Sequence, residues 1–332
     1  MSLKKIYLIA EVAQGFEGKL DLVLKHIELA SKSKIDAIKF QMIFADDLST
    51  IDYKYYKLYK SLELDYKDWV LIKKKCKKKK IDLILDIFGT KSLEIAKKIN
   101  PSAVKIHPTD IDNYEFLKKI NNSNLKKIIL GIGGSYINEI LYAKKTLKNK
   151  IVILMMGIQN YPNSLKDNSL YKFEKLKKIP KLKNSLFGFA DHTDTKDKNY
   201  YEYIAAICLG LGVNYFEKHF TINRNLKLED YETAIEPKSI SQFVQKLKNF
   251  SLIYGVNNIK KDFLSKNEKK YRFSVRRSPI ANKFIKKGEK ISFNNISLKR
   301  TNQNSPTISF VLGRKTKKNI LKNEIITNSK LF

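Results

Sequence analysis

Along the first two-thirds of the chain, short apolar runs alternate with longer, lysine-studded segments in which apolar residues recur at helical spacing. The runs Ile6 to Ala10, Ala37 to Phe40, Leu83 to Ile87, Ala103 to Ile106, Lys127 to Leu130, Ile151 to Met155, Leu186 to Phe189 and Val213 to Phe216 read as strands. Helices are expected at Leu20 to Ser31, Tyr66 to Lys79, Leu93 to Ile99, Tyr114 to Ile120, Ile137 to Leu147, Tyr200 to Leu209 and Ser239 to Phe250. Continuously apolar strands need cover on both faces, which implies a parallel sheet flanked by helices. Eight βα units over about 250 residues have the size of a (β/α)8 TIM barrel, with a doubly wound open sheet as the structural alternative. After Phe250 the pattern changes. A stretch rich in lysine and asparagine, Asn257 to Lys270, reads as a helical or irregular linker, and Arg276 to Arg300 as short strands broken by Gly288 and an Asn-Asn pair. The expected division is a barrel over residues 1–255, a linker over 256–274 and a small β-rich domain over 275–332.

Barrel chemistry gathers where strands end, so the residues delivered there are the candidates. The first run leads to Glu11, the second to Lys39 and Gln41, the third to Asp86, and the fourth to Lys105, His107 and Asp110. The fifth opens into GIGGS (Gly131 to Ser135), whose backbone N–H groups could face a phosphate, and the sixth into QNYP (Gln159 to Pro162). The seventh gives Asp191 and His192, the eighth Glu217 and His219. Three of the four histidines thus fall at strand ends, His26 being the exception. Two imidazoles on adjacent strands, each with a carboxylate beside it, suit a divalent ion such as Mn2+ or Mg2+ that keeps water and substrate oxygens; two nitrogen ligands are too few for structural zinc. Lys39 and Lys105 are read as ammonium groups facing the same mouth and holding an anion, against the plainer reading of lysines snorkelling to solvent.

Composition changes this picture little. The formal charge of +32 comes from 65 Lys and Arg against 33 Asp and Glu, a balance that raises nucleic acid as a partner. The lysines, however, are spread through most of the expected helices, as in IKKKCKKKK (Ile72 to Lys80), which marks a solvated surface rather than a binding stripe. Cys76 and Cys208 have neither disulfide-framework nor zinc spacing. No apolar stretch reaches the ~18 residues that span a bilayer, and the basic start MSLKK runs into Glu11 too soon for a signal peptide. A cytoplasmic protein without a membrane partner is expected.

The stretch AEVAQGFEGKLDLVLKHIELASKSKIDAIKFQ resembles the opening of the sialic acid synthase family, and NYP, ADHT, FEKHFT, Asp230 and Glu236-Pro237 follow in the family's order. The terminal RRSPIANKFIKKGEKISFNNISLKR is similar to the SAF (antifreeze-like, β-clip) domain that ends those enzymes. This resemblance implies a metal-dependent transferase. Such an enzyme condenses phosphoenolpyruvate with an N-acetylated hexose, giving a sialic-type nonulosonic acid and phosphate. It implies His192 and His219 as metal ligands and Lys39 and Lys105 as the grip on phosphoenolpyruvate. Glu11, counted with the catalytic group, would contact the sugar together with Gln41, Tyr161 and Asp230, while Asp110 or Glu217 would handle the proton and water steps. Hydroxyls that surround the phosphate in the family are replaced here, with Thr109, Ser135 and His107 as candidate substitutes. Arg300 would reach into the partner's barrel of a homodimer with exchanged small domains. The rival functions are a pyruvate-dependent aldolase or lyase acting on a sugar acid, and a non-catalytic sugar- or nucleic-acid-binding protein.

Overall fold

The computed structural model describes residues 6–158, 162–196, 200–255, 263–303 and 305–332. The chain divides into two compact units, Met1–Tyr254 and Gly255–Phe332. In the first, eight strands close a barrel in sequence order, all pairs parallel. They are β1 (Tyr7–Ala13), β2 (Ala37–Met42), β3 (Asp82–Ile87), β4 (Ala103–Ile106), β5 (Lys127–Gly131), β6 (Ile151–Met156), β7 (Leu186–Asp191) and β8 (Tyr215–His219). The expected TIM barrel is therefore the fold, and the open sheet is excluded by the β1–β8 pairing.

Alternation along each strand sorts side chains into two apolar groups. Ile9, Ala37, Ile84, Ala103, Ile129, Ile153, Met155 and Ala190 form a small cluster inside the barrel. Their neighbours, among them Leu8, Ile38, Leu85, Val104, Leu130 and Phe216, belong to the larger core shared with the helices. The helix Leu20–Lys32 shows the logic, since its buried residues Val23, His26, Ile27 and Ala30 recur at three- and four-residue spacing. In Tyr66–Lys79 the buried Trp69, Ile72 and Cys76 do the same, leaving the lysines of the basic run on the other faces. Asp68 caps that helix by accepting the Asp65 N–H at 3.2 Å. The helix Lys172–Lys178 was not expected from the sequence; it buries only Phe173 and Leu176, too few apolar positions to stand out from its lysines.

The second unit pairs β9 (Arg277–Ala281) antiparallel with β10 (Ile296–Arg300). Isolated bridges such as Ile285 with Ile320 extend it around a core of Ala281, Ile285, Ile291, Ile296, Val311, Ile320, Ile326 and Leu331. Lys266–Val275, which ends one residue past the 256–274 stretch read as linker, forms a helix whose first turn is held by Ser265 and Glu268.

Candidate active site

One layer above the apolar interior, at the carboxyl ends of the strands, the inward positions become charged. Glu11, Lys39, Asp86, Lys105 and Glu217 are all at most 4% exposed. The Lys39 ammonium contacts Glu11, lies 2.8 Å from Asp86 Oδ2 and 3.3 Å from Glu217 Oε2. Lys105 reaches Glu217 Oε1 at 2.6 Å. Snorkelling is thereby excluded for Lys39, which has no exposed surface. A β-bulge above Glu11, with Ala13 at φ 52°, lets the Ala13 N–H donate to Glu11 Oε1 at 2.6 Å and fixes that carboxyl over the barrel mouth.

Three carboxylates face two ammonium groups in this space, and an unbalanced buried charge costs several kcal/mol. The imbalance is relieved by a proton. Burial raises Glu11 to about 8 against the opposing pull of Lys39, so near neutral pH it holds a proton. Burial would raise Glu217 as well, but Lys105 and Lys39 outweigh it and hold the carboxylate at about 2. For Lys39, burial works against the charge and the surrounding carboxylates overcome it, holding the ammonium well above the usual lysine range. Among the described residues Asp86 Oδ1 is buried without a hydrogen-bond partner, a polar atom that its own fold does not satisfy.

His192 and His219 stand beside this cluster with ring centroids 5.3 Å apart. Burial lowers His192 to about 4 and His219 well below its ordinary value, so both rings are neutral at pH 7. The His192 Nδ1 lies 2.5 Å from the Ile158 carbonyl oxygen, which requires the N–H there and puts the lone pair on Nε2. Asp230 Oδ2 lies 3.7 Å from His219 Nδ1, and burial followed by the charges of Glu229 and Glu232 raises that carboxyl to about 7. Neutral imidazoles and adjacent carboxyl oxygens are the donor set a divalent ion takes, although among the described residues no group of three or more such side chains is already gathered around one point. Of the carboxylates expected beside the two imidazoles, Asp191 does not share the face of His192. Successive strand residues face opposite sides, so Asp191 points outward to Lys218, whereas Glu217, two residues before His219, shares its face.

A cavity of about 620 Å³ opens over β1 to β4 and is lined by Gln14, Gln41, Tyr53, Tyr59, Phe88, His107, Thr109 and Asp110 among others. Gln14 donates to Gln41 Oε1 at 2.9 Å, and His107 and Thr109 are joined at 2.9 Å. Burial raises Asp110 from its ordinary value. The other expected site residues are spread out. Asp230 also lines a separate hollow of about 290 Å³ with Pro162 and Tyr231. Ser135 is half-buried in the turn after β5, and Arg300 is exposed at the end of β10 in the second unit. Tyr161 lies outside the described residues. In GIGGS, a Cβ on Gly133 would lie 1.8 Å from the Gly157 carbonyl oxygen, so close packing of neighbouring strand ends accounts for that glycine. Asp86 was legible at a strand end but was not expected in the cluster. Its signal is position: it occupies an inward register slot beside Lys105.

Fold and rim together define a (β/α)8 protein with a buried ionic centre at the carboxyl ends of its strands, the place where such barrels carry catalysis. Residues 26–259 match the model of the NeuB family, and the chain belongs to that family. It is 30% identical to N,N'-diacetyllegionaminic acid synthase of Campylobacter jejuni across 98% of this chain and 99% of that one. It is 26% identical to pseudaminic acid synthase of the same species, over 88% and 86% respectively. The crystal structure of N-acetylneuraminic acid synthetase from Leptospira borgpetersenii superposes with a TM-score of 0.73 at 27% identity, covering 82% of this chain and 93% of that one.

Proposed function

We propose that this chain condenses phosphoenolpyruvate with an N-acetylated hexose to give a sialic-type nonulosonic acid and phosphate. The observation that carries the reading is the ionic centre of Glu11, Lys39, Asp86, Lys105 and Glu217 beside two neutral histidines, in a chain of the NeuB family. Attack of the enol carbon on an aldehyde creates an alkoxide, and the adjacent carbon becomes cationic until water adds to it. Lys39 and Lys105 provide the positive charge that an anionic substrate needs in a water-poor space. Glu11, protonated near neutrality, can give its proton to the developing alkoxide, and Asp110 on the cavity wall can take one from the attacking water. His192 and His219, with Asp230 and Glu217 nearby, would hold Mn2+ or Mg2+. A bound divalent ion supplies Lewis acidity toward the aldehyde oxygen.

The pyruvate lyase rival is weakened by Lys39. A Schiff-base lysine must be a neutral amine, and the carboxylates around Lys39 keep it an ammonium. The proposal extends to a cytoplasmic homodimer whose small units are SAF domains exchanged between subunits, with Arg300 meeting the sugar's N-acyl group. It is consistent with the finding that no helix among the described residues is long and apolar enough to cross a membrane. The test is an incubation with phosphoenolpyruvate, a panel of 2-acetamido sugars and Mn2+ or Mg2+, read by phosphate release and product mass. Phosphate and a nonulosonic acid are expected only with all three present. Turnover in excess chelator contradicts the metal assignment, and a condensation product without phosphate favours the lyase.

A further inference from the structure

Behind the two histidines, on the outward face of the barrel, lies a second buried ion pair that the reaction itself does not use. Asp191 and Lys218 are direct register partners on β7 and β8, and each immediately precedes one of the histidines in sequence. The Lys218 ammonium reaches Asp191 Oδ1 at 2.5 Å and the Thr193 carbonyl oxygen at 3.1 Å. It therefore touches the residues on both sides of His192. Asp191 closes the same turn from within: its Oδ1 accepts the Thr193 N–H at 3.1 Å, and its Oδ2 accepts the Thr193 hydroxyl at 3.2 Å. The Lys218 ammonium also lies 5.3 Å from the centre of the Tyr201 ring, on the helix Tyr200–Gly210, and has almost no exposed surface. From the front, the His192 carbonyl oxygen accepts the Asn163 N–H at 3.1 Å.

We propose that Lys218 and Asp191 are positioning residues that set the spacing and ring orientation of His192 and His219. A single ammonium ties the His192 turn to the strand that carries His219, so neither imidazole can shift along its strand without breaking a buried charged contact. The β7–β8 ladder ends at Asp191 and Lys218, and backbone bonding of the turn beyond it runs to Asn163, so it is the ammonium that links that turn to β8. Why the site spends a buried ion pair here then has an answer in geometry rather than stability, since apolar replacement of such a pair is often neutral or stabilising. The functional consequence, tighter metal binding, rests on the metal reading given above; the positioning of the rings does not.

The test compares Lys218→Met and the double variant D191L/K218M with the wild-type full chain. Two measurements are made: Mn2+ binding by electron paramagnetic resonance, and imidazole 15N signals of the metal-free protein. The single variant leaves Asp191 without its ammonium and is expected to be destabilised. The double variant removes both charges and should keep its thermal midpoint within about 5 °C. Both are expected to bind Mn2+ at least about tenfold more weakly, with His192 losing its fixed Nδ1–H tautomer. A folded double variant with wild-type Mn2+ affinity and unchanged imidazole signals overturns the proposal. Failure of the wild type to bind Mn2+ overturns the metal assignment instead, and the imidazole signals then decide the positioning role alone.

Discussion

The barrel carries two polar layers on the same strands, separated by an apolar one, and they are built on opposite principles. At the amino-terminal end, Asp82 accepts from the Tyr7 hydroxyl at 2.5 Å and from the Ser102 hydroxyl at 2.8 Å, so two neutral donors meet one side chain. At the carboxyl end, three carboxylates compete for two ammonium groups, and Asp86 Oδ1 is left without a hydrogen bond among the described residues. The first layer is complete in itself. The second is not: its charges balance through a proton on Glu11, and the open oxygen of Asp86 is what a substrate or ion can complete. The difference separates a half-buried polar plug at one end of the barrel from a buried site held ready for chemistry, although both are hydrogen-bonded.

The largest test of that contrast is Lys39→Met. It removes the ammonium shared by Glu11, Asp86 and Glu217 and leaves only Lys105 to oppose them. Breaking a buried ionic group by deleting one partner costs about 3–5 kcal/mol, to be read from denaturant unfolding at neutral pH. Phosphate release should fall by about a hundredfold or more, the scale of losing a charged group that faces the reacting atoms. A variant of wild-type stability would mean that the rim is not an ionic centre.

Next in size is Glu11→Gln, which tests where the proton of the rim resides. Glu11 is raised from 4.5 to about 8, so between those values the folded protein holds a proton that the unfolded chain has released. Its stabilising contribution is full below about 4.5 and is lost as pH rises toward about 8, at most about 1.4 kcal/mol per pH unit. His192, lowered from 6.5 to about 4, works in the other direction, but only below 6.5. Asp230, raised to about 7, adds to the decline up to that point. The wild type should therefore lose stability between pH 6.5 and 8, and Glu11→Gln should flatten the upper half of that decline in urea-unfolding curves. An unchanged slope would assign the proton to another carboxyl.

The apolar frame was legible because each strand is flanked by core on both sides, so eight short runs stood out against lysine-rich helices. Their ends were less so. β1 runs to Ala13 and β8 to His219, beyond the apolar residues, because the ladder continues through the charged inward positions and pairs Glu11 with His219. Reading those residues as strand ends still delivered them to one rim, and the convergence of His192 and His219 followed from their adjacent strands. What the residues alone did not reveal is pairing. The meeting of Lys39 with Glu217 depends on closure of β8 onto β1, which no local pattern encodes. Asp191 is a different case, since counting by twos from Ala190 places it on the outward face although it adjoins His192 in sequence. Charge balance was equally hidden, because a carboxylate count means little until burial removes the water that would otherwise screen it.

The smallest effect is expected at the quiet end of the barrel, in Tyr7→Phe. The substitution keeps the ring, whose centroid lies 5.4 Å from that of Tyr215, and removes only the hydroxyl that donates to Asp82. Ser102 still donates to the other oxygen, so Asp82 keeps one partner and the cost should be about 1 kcal/mol of unfolding free energy. Ser102→Ala should cost about the same for the same reason. The double variant should cost more than the sum, because only then does Asp82 lose both of these donors, and the excess measures their coupling through one acceptor. In all three, phosphate release should match the wild type, since the apolar layer of Ile9, Ile84 and Ala103 stands between this end and the rim. If catalysis falls in step with stability, the two polar layers are mechanically joined through the strands, and the plug belongs to the site after all.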